Sequence, residues 1–473
     1  GNASFLGAYL AMIVPMSVRM LLASHGPQSI RSRLVYAASA AFGIVALLTT
    51  QSRGAWVGAA AGLLMVGILE LRRLRKNVVP ALVVGAAAVV LAGILVTVSP
   101  VGDRVRSVFD LSEGTVGGRL LQWKLTVEMI KSRPVLGWGA ETYAFAFPRF
   151  IDAEFERNVG RDVIPDRAHN AFLDMAASSG LLGIAGYAAL LLLVLWTFLR
   201  IRNKDAATVA LAGACVAYLV QLQFSISVPD LDTLFWLLAG IMLVESSRRT
   251  FSIRRPWAAV PGFFAVVALL WGLTDLAADR ALRDALNAEA EGQLQAAQSL
   301  VEQSEARGVL RFQYLQAAGR LHRRVGEITG RDEDFDAGLE FLDRAARAMP
   351  KNLEITLDRA DLLLSWGEAS GDTGLIERSA KLYENILDVD RASSRSHLKL
   401  GVAHVQLGRE DLAEREWIIA SSLAPDSPGP LINLGLLYEQ QGKIAEALAA
   451  LSKAHRLDPQ NSFVEEALRR LSP

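Results

Sequence analysis

The chain of 473 residues contains a single cysteine, Cys215, which lies inside an apolar stretch. An intrachain disulfide is therefore excluded, and with it a small disulfide-stabilised scaffold. Charged residues make up 21% of the chain, whereas hydrophobic residues make up 52%. A composition this apolar excludes an intrinsically disordered chain, and a net charge of zero argues against a basic protein that binds nucleic acid.

The zero net charge conceals two halves of opposite sign. Residues 1–270 hold 25 basic and 16 acidic side chains, a charge of +9, and residues 271–473 hold 24 and 33, a charge of −9. The positive half also contains the long apolar runs. We therefore predict a multi-spanning membrane domain over residues 1–275 and an aqueous, acidic domain over residues 276–473.

Eight apolar segments are candidates to cross the ~30 Å hydrocarbon core of a bilayer. They are residues 4–23, 34–50, 54–71, 78–99, 181–199, 206–225, 231–246 and 257–274. Arg19 lies near one end of the first segment, where its side chain can extend to the interface. Because the chain opens with Gly1 rather than Met and enters an apolar segment at once, we expect that an upstream part is missing.

Basic residues follow one set of alternate loops. They are Arg31, Arg33, Arg72, Arg73, Arg75, Lys76, Arg200, Arg202, Lys204, Arg248, Arg249, Arg254 and Arg255. The opposite short connections hold only Arg53. Since basic residues are enriched in cytoplasmic loops, the loop 100–180 and the chain after about residue 275 are expected to face outward.

Residues 394–427 and 428–461 repeat with a period of 34, with small residues and proline at matching positions. The matches are Gly401 with Gly435, Gly408 with Gly442, Ala413 with Ala447, Ala420 with Ala454, Leu423 with Leu457 and Pro425 with Pro459. Small residues at fixed positions let antiparallel helices approach closely, which is the tetratricopeptide pattern. Looser units are predicted at 335–350, a second helix, and at 355–390, with a short insertion near 370–374.

The predicted fold is therefore all-α: a polytopic transmembrane helical bundle followed by a tetratricopeptide-type helical-repeat domain. Repeat structure is expected from about residue 280 to residue 470. Such arrays present a groove that usually holds a peptide or another protein. A spacer or self-association role is the alternative for this domain.

His169 is the one histidine in the long outward loop. Asp166 is expected to cap a short helix that begins near Arg167, and Gly180 to end that helix before the fifth span. This arrangement would fix His169 at the membrane surface, where it could accept or orient a proton. The alternative is an ordinary histidine with local hydrogen bonds.

Arg53 and Arg119 are the other candidate site residues. Arg53 lies in a tight turn at the outer face, and Arg119 begins an amphipathic helix whose apolar positions include Trp123. The planar, permanently charged guanidinium matches phosphate geometry, so the two arginines near His169 suit a lipid-linked pyrophosphate. An interfacial anchor and a headgroup contact are their alternative roles.

Four motifs, GNASFLGAYLAMIVP, QSRGAW, GGRLLQW…MIKSRPVLGWGAETYAF and AHNAFLDMAASSGLLG, occur in the order seen in the bacterial O-antigen ligase and polymerase superfamily. The resemblance covers roughly residues 1–245 and is most specific over 117–183. It implies an inverting, metal-independent glycosyltransferase without a cofactor. Such an enzyme transfers a glycan from undecaprenyl pyrophosphate at the outer face of the bacterial cytoplasmic membrane.

The resemblance also implies roles for residues. His169 matches the family's essential histidine, and Arg53 and Arg119 match its phosphate-binding arginines. The chain departs from the family in having fewer spans, which agrees with a missing N-terminal part. It also has Ser178 where relatives often carry Glu, so an acidic partner for His169 must come from elsewhere.

Three acceptors remain open: a lipid-core sugar for a lipopolysaccharide ligase, a growing chain for a polymerase, or a protein hydroxyl for an O-oligosaccharyltransferase. A non-catalytic membrane scaffold is the alternative of another class. A transporter is disfavoured, because Arg19 and Glu245 are almost the only charges in the spans. Asp230 and Asp232 form an Asp-x-Asp motif, but at the outward start of a helix we predict no metal there.

Overall fold

In the computed structural model, the described residues are 3–23, 30–71, 114–160, 165–201, 204–244, 255–308 and 311–471. Every regular element in these ranges is a helix, which confirms the all-α fold. The predicted span 78–99 lies outside the described residues.

The chain divides into two compact units. The membrane unit comprises Gly1–Phe147 and Ile164–Phe251, and the repeat unit comprises Pro148–Val163 and Ser252–Pro473. The boundary near residue 275 stays a prediction, and a continuous helix, Arg255–Ala290, runs across that position.

The helices of the membrane unit are numbered in chain order. They are α1 (Ala3–Ala23), α2 (Ile30–Thr49), α3 (Arg53–Leu71), α4 (Gly114–Ser132), α5 (Tyr143–Ala146), α7 (Ala171–Arg200), α8 (Ala206–Gln221) and α9 (Pro229–Val244). Among the residues that the structure describes, five segments are long and apolar enough to cross a membrane: Ala3–Ala23, Ile30–Thr49, Arg53–Glu70, Ala171–Arg200 and Ala206–Phe224. They correspond to five of the predicted spans.

Two predicted spans have a different extent in the structure. The segment 231–246 corresponds to α9, whose 16 residues rise about 24 Å, less than the ~30 Å of a hydrocarbon core. The segment 257–274 lies within the 36-residue helix Arg255–Ala290, which belongs to the repeat unit.

Small residues bring α3 and α8 into close contact. A Cβ added at Gly58 would lie 2.5 Å from the carbonyl oxygen of Ala217, and one added at Gly62 would lie 2.5 Å from that of Gly213. Only glycine permits such an approach, and small residues at four-residue spacing are typical of helix pairs in membranes. This packing sets the position of Arg53 at the start of α3.

Arg19 is buried rather than extended to the interface, which corrects the expectation from the sequence. Its guanidinium lies 2.9 Å from the carboxylate of Glu70, near the far end of α3. A buried charge requires a partner, and Glu70 supplies it. The pair connects α1 to α3 at the ends away from Arg53.

The repeat unit contains one short helix from the predicted outward loop and a series of helices from the second half of the chain. They are α6 (Ala153–Val159), α10 (Arg255–Ala290), α11 (Leu294–Arg307), α12 (Arg311–Thr329), α13 (Asp332–Ala348), α14 (Leu353–Ser370), α15 (Thr373–Val389), α16 (Ser394–Gln406), α17 (Glu410–Leu423), α18 (Gly429–Gln440), α19 (Ile444–Leu457) and α20 (Ser462–Leu471).

The predicted repeats correspond to the helix pairs α16–α17 and α18–α19, and the looser units to α13 and to α14–α15. In the first pair, a Cβ at Gly401 would meet the indole of Trp417, which explains the glycine. Gly435 stands in the same relation to Leu451 in the second pair. Gly371 adopts a left-handed conformation that ends α14, where the sequence predicts an insertion.

Helix α6 lies in the predicted outward loop in sequence and belongs to the repeat unit in the structure. Asp152 caps it, and Phe155 and Glu156 are buried. The carboxylate of Glu156 accepts hydrogen bonds from the backbone amide of Ser394, at 3.2 Å, and from its hydroxyl. A carboxylate at the start of α16 is also favoured by the helix dipole.

Candidate functional site

Helix α7, which follows His169, begins one turn later than predicted. Asn170 is its N-cap, because the side-chain oxygen accepts from the amides of Phe172 and Leu173 at 3.1 Å each. The expectation that Asp166 caps a helix near Arg167 is therefore wrong.

Gly180 interrupts α7, as the sequence predicts, in a left-handed conformation with a φ of 61°. The kink frees backbone groups that bond the segment 134–139. The hydrogen bonds run from Leu181 to Pro134, Leu182 to Val135, Trp138 to Ala177 and Gly139 to Ser178, at 2.8, 3.3, 2.8 and 2.8 Å. A Cβ at Gly180 would collide with the backbone of Val135, so the crossing requires glycine here.

His169 itself has a φ of 53°, a left-handed conformation that is uncommon for a residue with a side chain. The preceding residue, Ala168, is fully buried and is held at both of its backbone polar groups. Its amide donates to Asp174 at 2.6 Å, and its carbonyl accepts from the indole N–H of Trp123 at 2.8 Å.

A second set of contacts holds the residue before Ala168. The side-chain amide of Gln122 donates to the carbonyl of Arg167 at 2.6 Å and to the hydroxyl of Tyr143 at 3.3 Å. The Tyr143 hydroxyl also lies 2.6 Å from that of Thr126, and burial raises the pKa of this tyrosine. The Arg167 guanidinium donates to both carboxylate oxygens of Glu141 at 2.7 Å.

The 3₁₀ turn that follows α8 connects this loop to the two arginines. The carbonyl of Gln223 accepts from the side-chain amide of Asn170 at 3.2 Å, and the carbonyl of Phe224 accepts from the Arg119 guanidinium at 3.2 Å. A Cβ at Gly54 would lie 2.9 Å from the Cβ of Phe224. The start of α3 therefore packs on the same turn that Arg119 bonds.

The charges of the three sequence-predicted residues influence one another. Burial and the positive charge of Arg119 lower the pKa of His169, and Asp166 opposes them. Desolvation and the charge of Arg53 lower the pKa of Arg119. The structure thus brings Arg53, Arg119 and His169 into one electrostatic cluster, with Asp166 as the acidic group near the histidine.

Asp232, of the Asp-x-Asp motif, is engaged by its neighbours. Its carboxylate accepts from the hydroxyl of Tyr218 at 2.7 Å and from that of Ser227. Within the described ranges, no group of three or more His, Cys, Asp or Glu side chains is arranged to hold a metal ion.

The sequence singled out the three charged residues and missed the groups that hold them. Gln122, Trp123 and Asp174 bond the backbone just before His169. The signal available for Trp123 was the GGRLLQW motif, yet its position on a helical apolar stripe indicated a core or interfacial role instead.

The fold and site define a helical protein in which apolar helices carry a cationic cluster and helical repeats follow. Residues 38–188 match the sequence model of the O-antigen ligase family, and residues 430–461 match that of the tetratricopeptide repeat. Arg53, Arg119 and His169 all lie within the residues that match the O-antigen ligase model. No curated protein sequence matches the chain.

Several solved structures resemble part of the chain. A thermophilic tetratricopeptide protein of Thermus thermophilus, TTC0263, is 21% identical, with 41% of this chain and 98% of that chain covered and a TM-score of 0.34. A tetratricopeptide repeat protein from Parabacteroides merdae is 18% identical, with 41% and 72% covered and a TM-score of 0.34. MamA of Desulfovibrio magneticus is 14% identical, with 39% and 97% covered and a TM-score of 0.33.

Proposed function

We propose that this protein transfers a glycan from an undecaprenyl-pyrophosphate carrier to an acceptor hydroxyl at the outer face of the cytoplasmic membrane, as an O-antigen ligase does. The family domain supports ligase- or polymerase-type glycan transfer in general. The observation that carries the finer proposal is the cluster of Arg53, Arg119 and His169 within that domain.

The arginines would bind the pyrophosphate. Burial lowers the pKa of Arg119, and repulsion from the positive charge of Arg53 lowers it further. A phosphate-rich ligand relieves that repulsion and accepts several charge-assisted hydrogen bonds. The same contacts strengthen as negative charge accumulates on the leaving pyrophosphate, so they favour its departure.

His169 would receive the proton of the acceptor. Burial and the charge of Arg119 lower the pKa of His169, which favours the neutral imidazole that can accept a proton. The acceptor oxygen forms a bond to the anomeric carbon from the face opposite the pyrophosphate, the carbon–oxygen bond to the phosphate breaks, and the acceptor proton moves to His169. These bond changes invert the configuration of the anomeric carbon without requiring a metal or a cofactor.

The repeat unit would lie on the periplasmic or extracellular side and bind a protein partner or a protein acceptor. Tetratricopeptide domains often mediate protein interactions. The proposed reaction is transfer to a lipid-core sugar. The chemical identity of the product distinguishes a lipid, a glycan and a protein acceptor.

The test compares wild type with His169→Ala, Arg53→Gln and Arg119→Gln in the full-length gene and its own host, at matched membrane abundance. Surface glycan and polyprenyl-linked glycan are both quantified. We expect each variant to lose surface glycan and to accumulate the lipid-linked form. Lys131→Gln, which removes an exposed positive charge from the same helix as Arg119, is the matched control and should resemble wild type.

Unchanged levels of both glycans in His169→Ala would contradict the catalytic role and favour the scaffold. Loss of long glycan chains with retention of single units on the lipid core would indicate a polymerase instead. A glycan attached to protein would indicate an O-oligosaccharyltransferase.

A further inference from the structure

The backbone of His169 is held in a conformation that it would not adopt unaided. A φ of 53° places it in the left-handed region, which is unfavourable for a residue with a Cβ. Such conformations persist only where the surrounding structure determines them, and they cluster at functional sites. The contacts that determine this one can be identified.

The residues on both sides of His169 are held by hydrogen bonds. The plane before it carries the Ala168 carbonyl, which accepts from Trp123 at 2.8 Å. The residue after it, Asn170, caps α7 through its side chain, and its carbonyl accepts from the amide of Asp174 at 2.9 Å. The φ and ψ of His169 link these two held residues, so the Trp123 hydrogen bond is one of the contacts that determine its conformation.

Trp123 also connects the histidine to the arginine. Arg119 and Trp123 are four residues apart on α4, so they lie one above the other on the same face of the helix. One helix therefore supplies both the cation that lowers the pKa of His169 and the hydrogen bond that holds the loop. The helix fixes the spacing of the two groups.

We propose that Trp123 is a positioning residue for His169: its indole N–H, bonded to the Ala168 carbonyl, holds the imidazole in register with Arg119 for proton acceptance. This inference rests on the proposed function. The parallel hydrogen bond from Gln122 to the Arg167 carbonyl keeps the loop attached when the indole N–H alone is removed.

The test variant is Trp123→Phe, which keeps an aromatic ring and removes the donor. Trp138→Phe is the matched control, because the Trp138 indole N–H also donates to a carbonyl in the membrane unit, that of Met129 at 3.0 Å. Transfer is assayed with the intact chain in nanodiscs and a polyprenyl-pyrophosphate-linked glycan. We expect kcat to fall about tenfold in Trp123→Phe with KM for the donor unchanged, and neither to change in Trp138→Phe.

Two further measurements separate positioning from general stability. Titration of ¹³C-labelled histidines by NMR, with the His169 signal identified from its loss in His169→Ala, should show a higher pKa for His169 in Trp123→Phe than in wild type. In the His169→Ala background, Trp123→Phe should cause no further loss of residual transfer. If Trp123→Phe melts well below Trp138→Phe, the transfer assay and the titration are repeated for all variants at a temperature below the melting transition of Trp123→Phe.

An unchanged kcat in Trp123→Phe would overturn the proposal, and so would an unchanged His169 pKa. An equal further loss in the His169→Ala background would also overturn it, because Trp123 would then act independently of the histidine. Full transfer by His169→Ala alone would instead contradict the proposed function, so the two failures are distinguishable.

Discussion

The two units of the chain use glycine differently to bring helices together. In the membrane unit, Gly58 and Gly62 of α3 lie against carbonyl oxygens of α8, so backbone meets backbone. In the repeat unit, Gly401 and Gly435 make space for large side chains, those of Trp417 and Leu451. The difference follows from the solvent: lipid gives no hydrophobic drive between helices, whereas water favours the burial of large apolar groups.

The polar contacts next to His169 differ from those between the helices of the repeat unit. In the repeat unit, side chains pair with side chains between helices, as Arg320 does with Asp358 at 2.7 Å and Arg395 with Asp361 at 2.5 Å. The side chains of Gln122, Trp123 and Asp174 instead bond backbone groups of the residues just before His169. Helix ends leave backbone groups without intrahelical partners, and the candidate site is built on those groups.

The largest expected effect comes from Gly58→Val, which removes the backbone contact between α3 and α8. The added Cβ would lie 2.5 Å from the Ala217 carbonyl, so the helices must separate and Arg53 must move with α3. We expect the free energy of unfolding to fall by about 3 kcal/mol or more and glycan transfer to be lost. Thermal unfolding in detergent and the transfer assay measure the two effects.

Gly67→Val on the same helix is the control, because a Cβ there has nothing within 4 Å. It should leave both the melting temperature and transfer near wild type. Equal effects of the two substitutions would mean that the α3–α8 contact does not depend on glycine.

A smaller effect is expected from Gly401→Val in the repeat unit. The new side chain would overlap the Trp417 indole, which is buried and bonded to the Leu398 carbonyl at 3.0 Å. Since a side chain can adjust more readily than a backbone, we expect the free energy of unfolding to fall by about 1–3 kcal/mol. Hydrogen exchange of α16 and α17 in the intact chain measures it.

Gly429→Ala is the control for this substitution, because its Cβ would lie 3.5 Å from Leu398, an ordinary contact. Exchange in α16 and α17 should stay as in wild type. If Gly401→Val lowers the free energy of unfolding more than Gly58→Val does, the contrast between backbone and side-chain packing is wrong.

The sequence predicts those features that depend on residue type at fixed spacing. The 34-residue period and the apolar runs identified the repeats and five helices long and apolar enough to cross a membrane, because helix approach and membrane crossing constrain composition directly. It predicted the wrong helix cap, Asp166 instead of Asn170, because Asp and Asn are both common N-cap residues. In the structure, Asn170 is the cap, and the backbone before it is held by two hydrogen bonds of Ala168. One comes from Trp123, which is distant in sequence, and the other goes to Asp174, close to the loop.

The smallest expected effect concerns pH and the histidines in the core of the repeat unit. His322 is buried, stacks on Phe341 at 5.3 Å, and accepts from Gln298 at 3.2 Å, while its Nε2 is buried without a hydrogen-bond partner in the described structure. Burial lowers its pKa from 6.5, although Glu302 and Asp334 oppose the shift. Protonation would place a second charged N–H in a site that offers it no acceptor.

Because the folded-state pKa lies below the unfolded value, the unfolded chain binds more protons in the interval between them. The free energy of unfolding is therefore greatest above pH 6.5 and falls as the pH drops through that interval, by about 1.4 kcal/mol for each unit of pKa difference. Melting of the repeat unit at pH 7.5 and 5.5 measures the fall. His322→Gln should reduce it, whereas Gln298→Ala, which keeps the imidazole, should retain it; the same fall in both variants would show that His322 is not its source.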